Sequence, residues 1–210
     1  MFRQYRPIQK GEFFICAGDT SQGGKDGNFM HFISKSKLDI PLVYERQGVA
    51  AEMTAEIHPV IERISDTTGV IPLVCLERNN GGASEMQRLQ ILNREQKYRL
   101  FTMPTYGLTH NKDTNKLGWD TNTATRPDIL GSLLHVINNN VILIYDEETL
   151  KQLKSFIVNS QGKPIGAPGK RDDAVMSLAI GVKLLQTVNT PSPYTPMDIN
   201  NFDNFQIGEG

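Results

Sequence analysis

The chain alternates short apolar runs with glycine-rich and polar breaks, and the spacing of its apolar residues changes character along its length. FFICAGDT (13–20) is an apolar run stopped by SQGGKDGN. This predicts a buried strand and then a turn in which Gly23, Gly24 and Gly27 can take positive φ. FMHFISKS (29–36) and PLVYERQG (41–48) read as the next two strands, so the first three strands form an antiparallel meander. The period then shifts to that of a helix over 54–69, where Ile57, Val60, Ile61 and Ile64 recur, with Thr54 as a cap and Gly69 beyond the end. Pro59 argues for an irregular first turn. VIPLVCLERN (70–79) is a further buried strand, 82–95 a helix with Met86, Leu89, Ile91 and Leu92 inward, and 98–104 a strand. Residues 106–125 have no apolar period and read as a long loop or hairpin. A helix opens at Thr125-Arg126-Pro127 and runs to 139, VILIY (141–145) is a strand, 146–158 is helical, and 170–186 is amphipathic, with Val175, Leu178, Ala179, Val182 and Leu185 on one face. Three strands followed by alternating strand and helix predict an α/β fold: a central mixed sheet of about five or more strands flanked by helices.

Composition narrows the classes. The chain has 210 residues, of which 39% are hydrophobic and 21% charged, enough for one domain with a real core. No apolar stretch approaches the ~20 residues of a membrane helix, and the N-terminus has no secretion signal. Cys16 and Cys75 both lie in apolar runs, which excludes a disulfide scaffold or a cysteine-rich zinc site and points to a reducing compartment. Residues 1–11 read as a linker or lead-in segment, 12–188 as the folded domain and 189–210, rich in proline and asparagine, as a flexible C-terminal tail. The net charge of −1 removes the simplest argument for nucleic-acid binding, although it leaves room for a local basic groove.

Carboxylates at element ends supply the candidate chemistry. Asp19 closes the first strand before the glycine turn, Glu77 closes the fourth strand in LERNNGG, and Asp172 and Asp173 open the last helix. If the first and fourth strands are adjacent and parallel, Asp19 and Glu77 meet at the carboxyl edge of the sheet, where ligand sites of open α/β sheets tend to lie. Each position has a plainer reading. Asp172 or Asp173 could cap the helix, and Asp19 could form an Asx turn. Glu77, ending the apolar VCLE, has the weakest plain reading, because a buried unpaired carboxylate is costly. Convergent carboxylates with no adjacent lysine are held together by a hard cation, and their oxygens suit Mg²⁺ or Mn²⁺ rather than zinc. The four histidines, His31, His58, His110 and His135, form no i, i+4 pair; His31 and His58 read as packing or surface residues.

With these motifs in hand, the chain resembles the nuclease domain of the large terminase subunit of tailed bacteriophages, an RNase H-like (retroviral integrase-like) fold. The resemblance runs through ICAGDTSQGGKDGN, CLERNNGG, GWDTNTATRP (118–127) and GAPGKRDDAVMSLAI (166–180), in family order over about residues 12–186. It implies a metal-dependent endonuclease that cuts double-stranded concatemeric viral DNA at the start and end of genome packaging. It also implies two ions of Mg²⁺ or Mn²⁺, with Asp19 central, Glu77 and Asp173 each holding one ion, and Asp172 accessory. Position on the helix alone does not choose between Asp172 and Asp173. Lys112, Lys116, Arg126, Lys170 and Arg171 are the candidate DNA contacts.

Two departures stand out. The family commonly has a histidine just before the final acidic pair; here Arg171 stands there, which cannot ligate a metal but can meet a phosphate. A large terminase also carries an ATPase motor ahead of its nuclease, and GDTSQGGKD fails as a phosphate loop in spacing and context. The chain thus looks like the C-terminal part alone, expected in the cytoplasm of an infected bacterium. Its expected partners are double-stranded DNA, a terminase ATPase domain, the portal and the small terminase subunit, with no membrane involved. Two rivals stand beside this reading: another RNase H-like nuclease of junction-resolvase or transposase type, and a non-catalytic module docking DNA or the portal.

Overall fold

A computed structural model describes residues 1–103 and 116–190. Its strands and helices follow the order β1 (Phe2–Gln4), β2 (Phe14–Asp19), β3 (Gln22–Ser34), β4 (Asp39–Val49), α1 (Ala50–Thr68), β5 (Leu73–Leu76), α2 (Gly82–Leu92) and β6 (Arg99–Leu100). The second half continues with β7 (Thr102–Met103), β8 (Lys116–Leu117), α3 (Thr125–Asn138), β9 (Leu143–Ile144), α4 (Glu147–Lys154), β10 (Phe156–Val158), β11 (Pro164–Gly166) and α5 (Asp173–Thr187). The central sheet has the order β1-β4-β3-β2-β5-β6, with β9 added to β4. β2, β3 and β4 are antiparallel, β5 runs parallel to β2, and β6 runs parallel to β5. This is the mixed α/β sheet expected from the sequence.

Both sheet faces are covered, which is why the central strands read as unbroken apolar runs. Phe13, Ile15, Ala17, Phe29, Ile33 and Val43 pack with α3 and α5. The alternate residues Phe14, Cys16, Met30, Phe32, Leu42 and Tyr44 pack with α1 and α2. The period of two along each strand thus divides one run between two cores. Helix α5 lies close against β2 and β3. A Cβ on Gly181 would sit 2.4 Å from Ile33 Cδ1 and 3.2 Å from the Ala17 Cβ, so glycine permits the approach. That contact brings the first turn of α5 to the end of β2.

Several elements differ from the sequence reading. Residues 1–11 contribute a strand: β1 pairs antiparallel with β4, Phe2 opposite Tyr44 and Gln4 opposite Leu42. The glycine-rich segment turns away from β2 as expected, but it stays strand toward β4, with a register shift between Gln22 and Gly27 that absorbs the extra residues. β4 runs straight into α1, so the helix begins at Ala50, and Thr54 is no cap. Thr54 is buried inside the helix, its hydroxyl bonded back to the Ala50 carbonyl. Pro59 lies within α1, whose buried Met53, Ile57, Ile61 and Ile64 hold it to the sheet. In α2, Met86 and Leu89 are inward, but Ile91 is 69% exposed. The helix read over 146–158 stops at Lys154, because Phe156–Val158 pairs with β11 as a hairpin. The first half of the 106–125 stretch, and nearly all of the tail from 189, lie outside the described residues.

Candidate metal centre

The carboxylates of β2 and β5 meet because the two strands are parallel and in register, Gly18 beside Leu76. The Glu77 amide donates to the Gly18 carbonyl at 2.8 Å, so Asp19 and Glu77 leave the sheet side by side. Behind Glu77, α2 comes so close that a Cβ on Gly82 would fall 1.7 Å from the Glu77 carbonyl oxygen. Helix α5 delivers Asp173, whose Oδ2 accepts from the Gly27 amide at 3.2 Å. Asp19, Glu77 and Asp173 are only 7%, 6% and 7% exposed. Asp172 stands at the cap position of α5 without making a side-chain cap bond; it pairs instead with Arg126 at 3.2 Å.

These residues line one cleft of about 580 Å³, together with Thr20, Asn79, Asn80, the 121–123 loop, Lys163 and Pro164. Asn79 ties the cleft together, donating to Glu77 Oε1 and to the Thr121 carbonyl, both at 3.1 Å. Lys163, which reaches this wall from the β10–β11 hairpin, was missed in the sequence because it sits in a segment with no recognisable motif.

The electrostatics are those of an unbalanced acidic cluster. Burial pushes the Asp19 carboxyl well above the usual carboxylate range, and the negative charges of Glu77, Asp173 and Asp172 push it further. Asp19 also shares a hydrogen bond with Glu77. A proton there lowers the charge of the cluster, as a cation would. Among the described residues no three His, Cys, Asp or Glu side chains are already gathered into a metal cage. The donor set is all carboxylate and amide oxygen, which fits a hard divalent cation.

The five expected DNA-contacting cations fare differently. Arg126 lines the cleft but is engaged by Asp172, and Lys116 lies 3.7 Å from Asp120. Arg171 is gripped by Glu45 at 2.6 Å and Glu148 at 3.2 Å. Lys170 is exposed with no ion-pair partner among the described residues, and Lys112 lies outside them. Lys170 and Arg171 line a second cleft of about 460 Å³ that also takes in Lys151 and Lys154 from α4. Consecutive residues serve both clefts, Gly169, Lys170 and Arg171 the second and Asp172 and Asp173 the first.

Other candidates resolve into packing. Cys16 and Cys75 are buried free thiols, and burial pushes both well above the usual thiol range. His31 is fully buried, as a packing residue would be. Trp119 is buried, stacks on Phe101 at 5.9 Å and bridges to Glu77, so it anchors the strand edge behind the acidic pair.

No family model matches the chain, and a search of curated proteins finds no match either. Solved structures do match. The large terminase nuclease of the thermophilic phage G20c aligns over 86% of this chain and 85% of its own, with 14% identity and a TM-score of 0.57. The human cytomegalovirus terminase nuclease domain, soaked with Mn, aligns over 82% and 84%, with 11% identity and a TM-score of 0.53. A large terminase from another thermophilic bacteriophage is covered over 41% of its length by 86% of this chain, with 12% identity and a TM-score of 0.54. The chain therefore has the fold of the terminase large-subunit nuclease domain, an RNase H-like mixed sheet flanked by helices.

Proposed function

We propose that this chain is a metal-dependent endonuclease that cuts double-stranded viral DNA during genome packaging, largely without regard to sequence. The observation that carries the reading is the buried Asp19–Glu77–Asp173 cluster at the carboxyl edge of β2 and β5, opening into a cleft on a terminase nuclease fold. The G20c nuclease has been solved with bound magnesium and the cytomegalovirus domain with manganese, which supports the same class of ion here. Asp19, Glu77 and Asp173 would hold the ions, two in this reading, with Asp172 accessory. When bound, the ions would polarise the phosphate, help form a hydroxide nucleophile and neutralise charge on the leaving 3′ oxygen.

The protein's own part is positional. Asn79 fixes the Glu77 carboxylate, and the Gly27 amide fixes Asp173. Arg126 pairs with Asp172 and offsets its charge beside the cluster. For the duplex, Lys163 at the cleft and Lys170 and Lys154 on the neighbouring ledge meet phosphates. They take the place of Lys116 and Arg171, which are committed to carboxylates. The domain spans 12–188 with β1 as an added edge strand. A motor domain, portal and small terminase subunit would be its partners in the host cytoplasm, in keeping with its match to one part of a longer phage large terminase. No helix among the described residues is long and apolar enough to cross a membrane.

The test is cleavage of supercoiled plasmid and of a four-way junction across a Mg²⁺ and Mn²⁺ titration, with a chelator control. Metal-dependent nicking and linearisation of plasmid is expected. Preference for the junction would favour a resolvase, and no cutting at any metal concentration would favour a docking module.

A further inference from the structure

The polar groups behind the acidic cleft lead back to the first strand. Arg3, on β1, donates through Nη1 to Glu45 Oε2 at 2.8 Å and through Nε to Asp146 Oδ1 at 2.6 Å. Each carboxylate starts a branch. On the first, Glu45 Oε1 accepts from Arg171 Nη2 at 2.6 Å, and the same nitrogen lies 3.2 Å from Glu148 Oε1. That oxygen also accepts from Gln152 Nε2 at 3.1 Å, and Gln152 Oε1 accepts from the Ala174 amide at 2.8 Å. Ala174 follows Asp173 directly. Its N–H is one of the first-turn donors that α5 cannot satisfy internally.

The second branch runs through the core. Asp146 Oδ2 accepts from the Thr149 amide at 2.7 Å, and Thr149 Oγ1 lies 2.9 Å from His31 Nε2. His31 Nδ1 lies 2.9 Å from Ser177 Oγ, which donates to the Ala17 carbonyl at 2.9 Å. Thr149 Oγ1 donates to Asp146 Oδ2 at 2.8 Å and Ser177 Oγ donates to the Ala17 carbonyl, so both hydroxyls face His31 as acceptors, and a neutral ring donates to one of them. This branch ends on α5 one turn beyond Asp173 and on β2 two residues before Asp19. Both branches start at Arg3; the first ends on α5 and the second on α5 and β2, two of the three elements that carry the candidate ligands.

We infer that Arg3 and Glu45 are positioning residues of the metal centre. Through Arg171 and Gln152 they fix the first turn of α5, and through Asp146 and His31 they fix β2 against α5. The inference rests on the nuclease reading for its chemistry. Its physical basis is that mutually repelling carboxylates hold a useful separation only if their backbones are clamped. Neither Arg3 nor Glu45 lines the acidic cleft, so their action is indirect. Outer partners of metal ligands typically change metal affinity about 10- to 100-fold when removed.

The test is Mn²⁺ binding to the whole chain, read by the loss of the free-ion electron paramagnetic resonance signal, alongside thermal melting and plasmid cleavage. Arg3→Met and the near-isosteric Glu45→Gln should each weaken Mn²⁺ binding about tenfold or more. The double variant should lose little beyond Arg3→Met alone, because Arg3 heads both branches and Glu45 lies on one of them. Ile64→Val, a core truncation on the opposite sheet face, should lower the melting temperature and leave Mn²⁺ binding unchanged. If wild type binds Mn²⁺ and cuts DNA while Glu45→Gln and Arg3→Met bind Mn²⁺ equally well, the network only supports the fold and the inference is overturned. Should Arg3→Met fail to fold, Glu45→Gln decides alone. If wild type neither binds Mn²⁺ nor cuts, the nuclease reading fails first and the inference falls with it.

Discussion

Burial and three neighbouring carboxylates all oppose ionisation of Asp19 and raise its pKa above the usual carboxylate range. A carboxyl whose pKa is raised on folding contributes stability that is full below its unfolded value and lost as pH rises through the folded one. The metal-free protein should therefore be less stable at neutral pH than this group allows at mild acidity. Asp19→Asn removes the conflict: its metal-free melting temperature at pH ~7.5, above the ordinary carboxylate range, should rise above wild type, measured by calorimetry with chelator. Cleavage by the same variant should fall by about 10²–10³-fold or more, the scale of losing one preorganised electrostatic group. Wild-type cutting by Asp19→Asn would end the assignment. The acid pair on α5 is decided by comparison. Asp173 is buried beside the Gly27 amide, while Asp172 is partly exposed and neutralised by Arg126. Asp173→Asn should thus cost far more activity than Asp172→Asn, and the reverse order in kcat would exchange their roles. At this scale the sequence was informative where chemistry and element ends coincide, as at Asp19 and Glu77. It was silent on Arg3 and Glu45, because an ion pair between residues 42 apart leaves no local pattern.

The strands were legible as elements because two covered faces demand long apolar runs, and α5 because Val175, Leu178 and Val182 repeat at helical spacing. Boundaries were less legible. Thr54 carries a cap signature, yet β4 feeds α1 with no loop between them, so tertiary connection overrides the local preference. FIV after Lys154 continues an apolar rhythm in the sequence, but its β-branched residues pair with Pro164–Gly166 instead. The LERNNGG element shows how close packing transmits to the site. In Gly82→Ala the new methyl would meet the Glu77 backbone oxygen, which cannot move aside like the end of a flexible side chain. The expected cost is about 1–3 kcal/mol or more, read as a lower urea midpoint, together with a loss of cleavage from displaced Glu77. An unchanged midpoint would mean that α2 can slide without disturbing the strand.

For the whole molecule, the net charge of −1 constrains how DNA can be held. The acidic cleft repels phosphate until a cation fills it, and several nearby cations are already paired: Arg126 with Asp172, Arg171 with Glu45 and Glu148, Lys116 with Asp120. Breaking such a pair to bind phosphate forfeits one interaction for another, so these residues add little net affinity. Lys154, Lys163 and Lys170 have no ion-pair partner among the described residues; Lys163 borders the acidic cleft, and Lys154 and Lys170 border the second one. Each phosphate neutralised contributes about −0.9 to the slope of log affinity against log salt, so three contacts give roughly −3. Binding of a fluorescent duplex, measured by anisotropy across a salt series with Ca²⁺ in place of Mg²⁺ to prevent cutting, should show that slope and modest affinity. Replacing Lys154, Lys163 and Lys170 together by alanine should bring the slope close to zero, with each single change removing about 0.9. Lys37→Ala, at the opposite end of the strands beside Glu12, should leave it unchanged. A triple variant that keeps the full slope would move the DNA path to another face, and tight binding insensitive to salt would contradict the charge argument altogether.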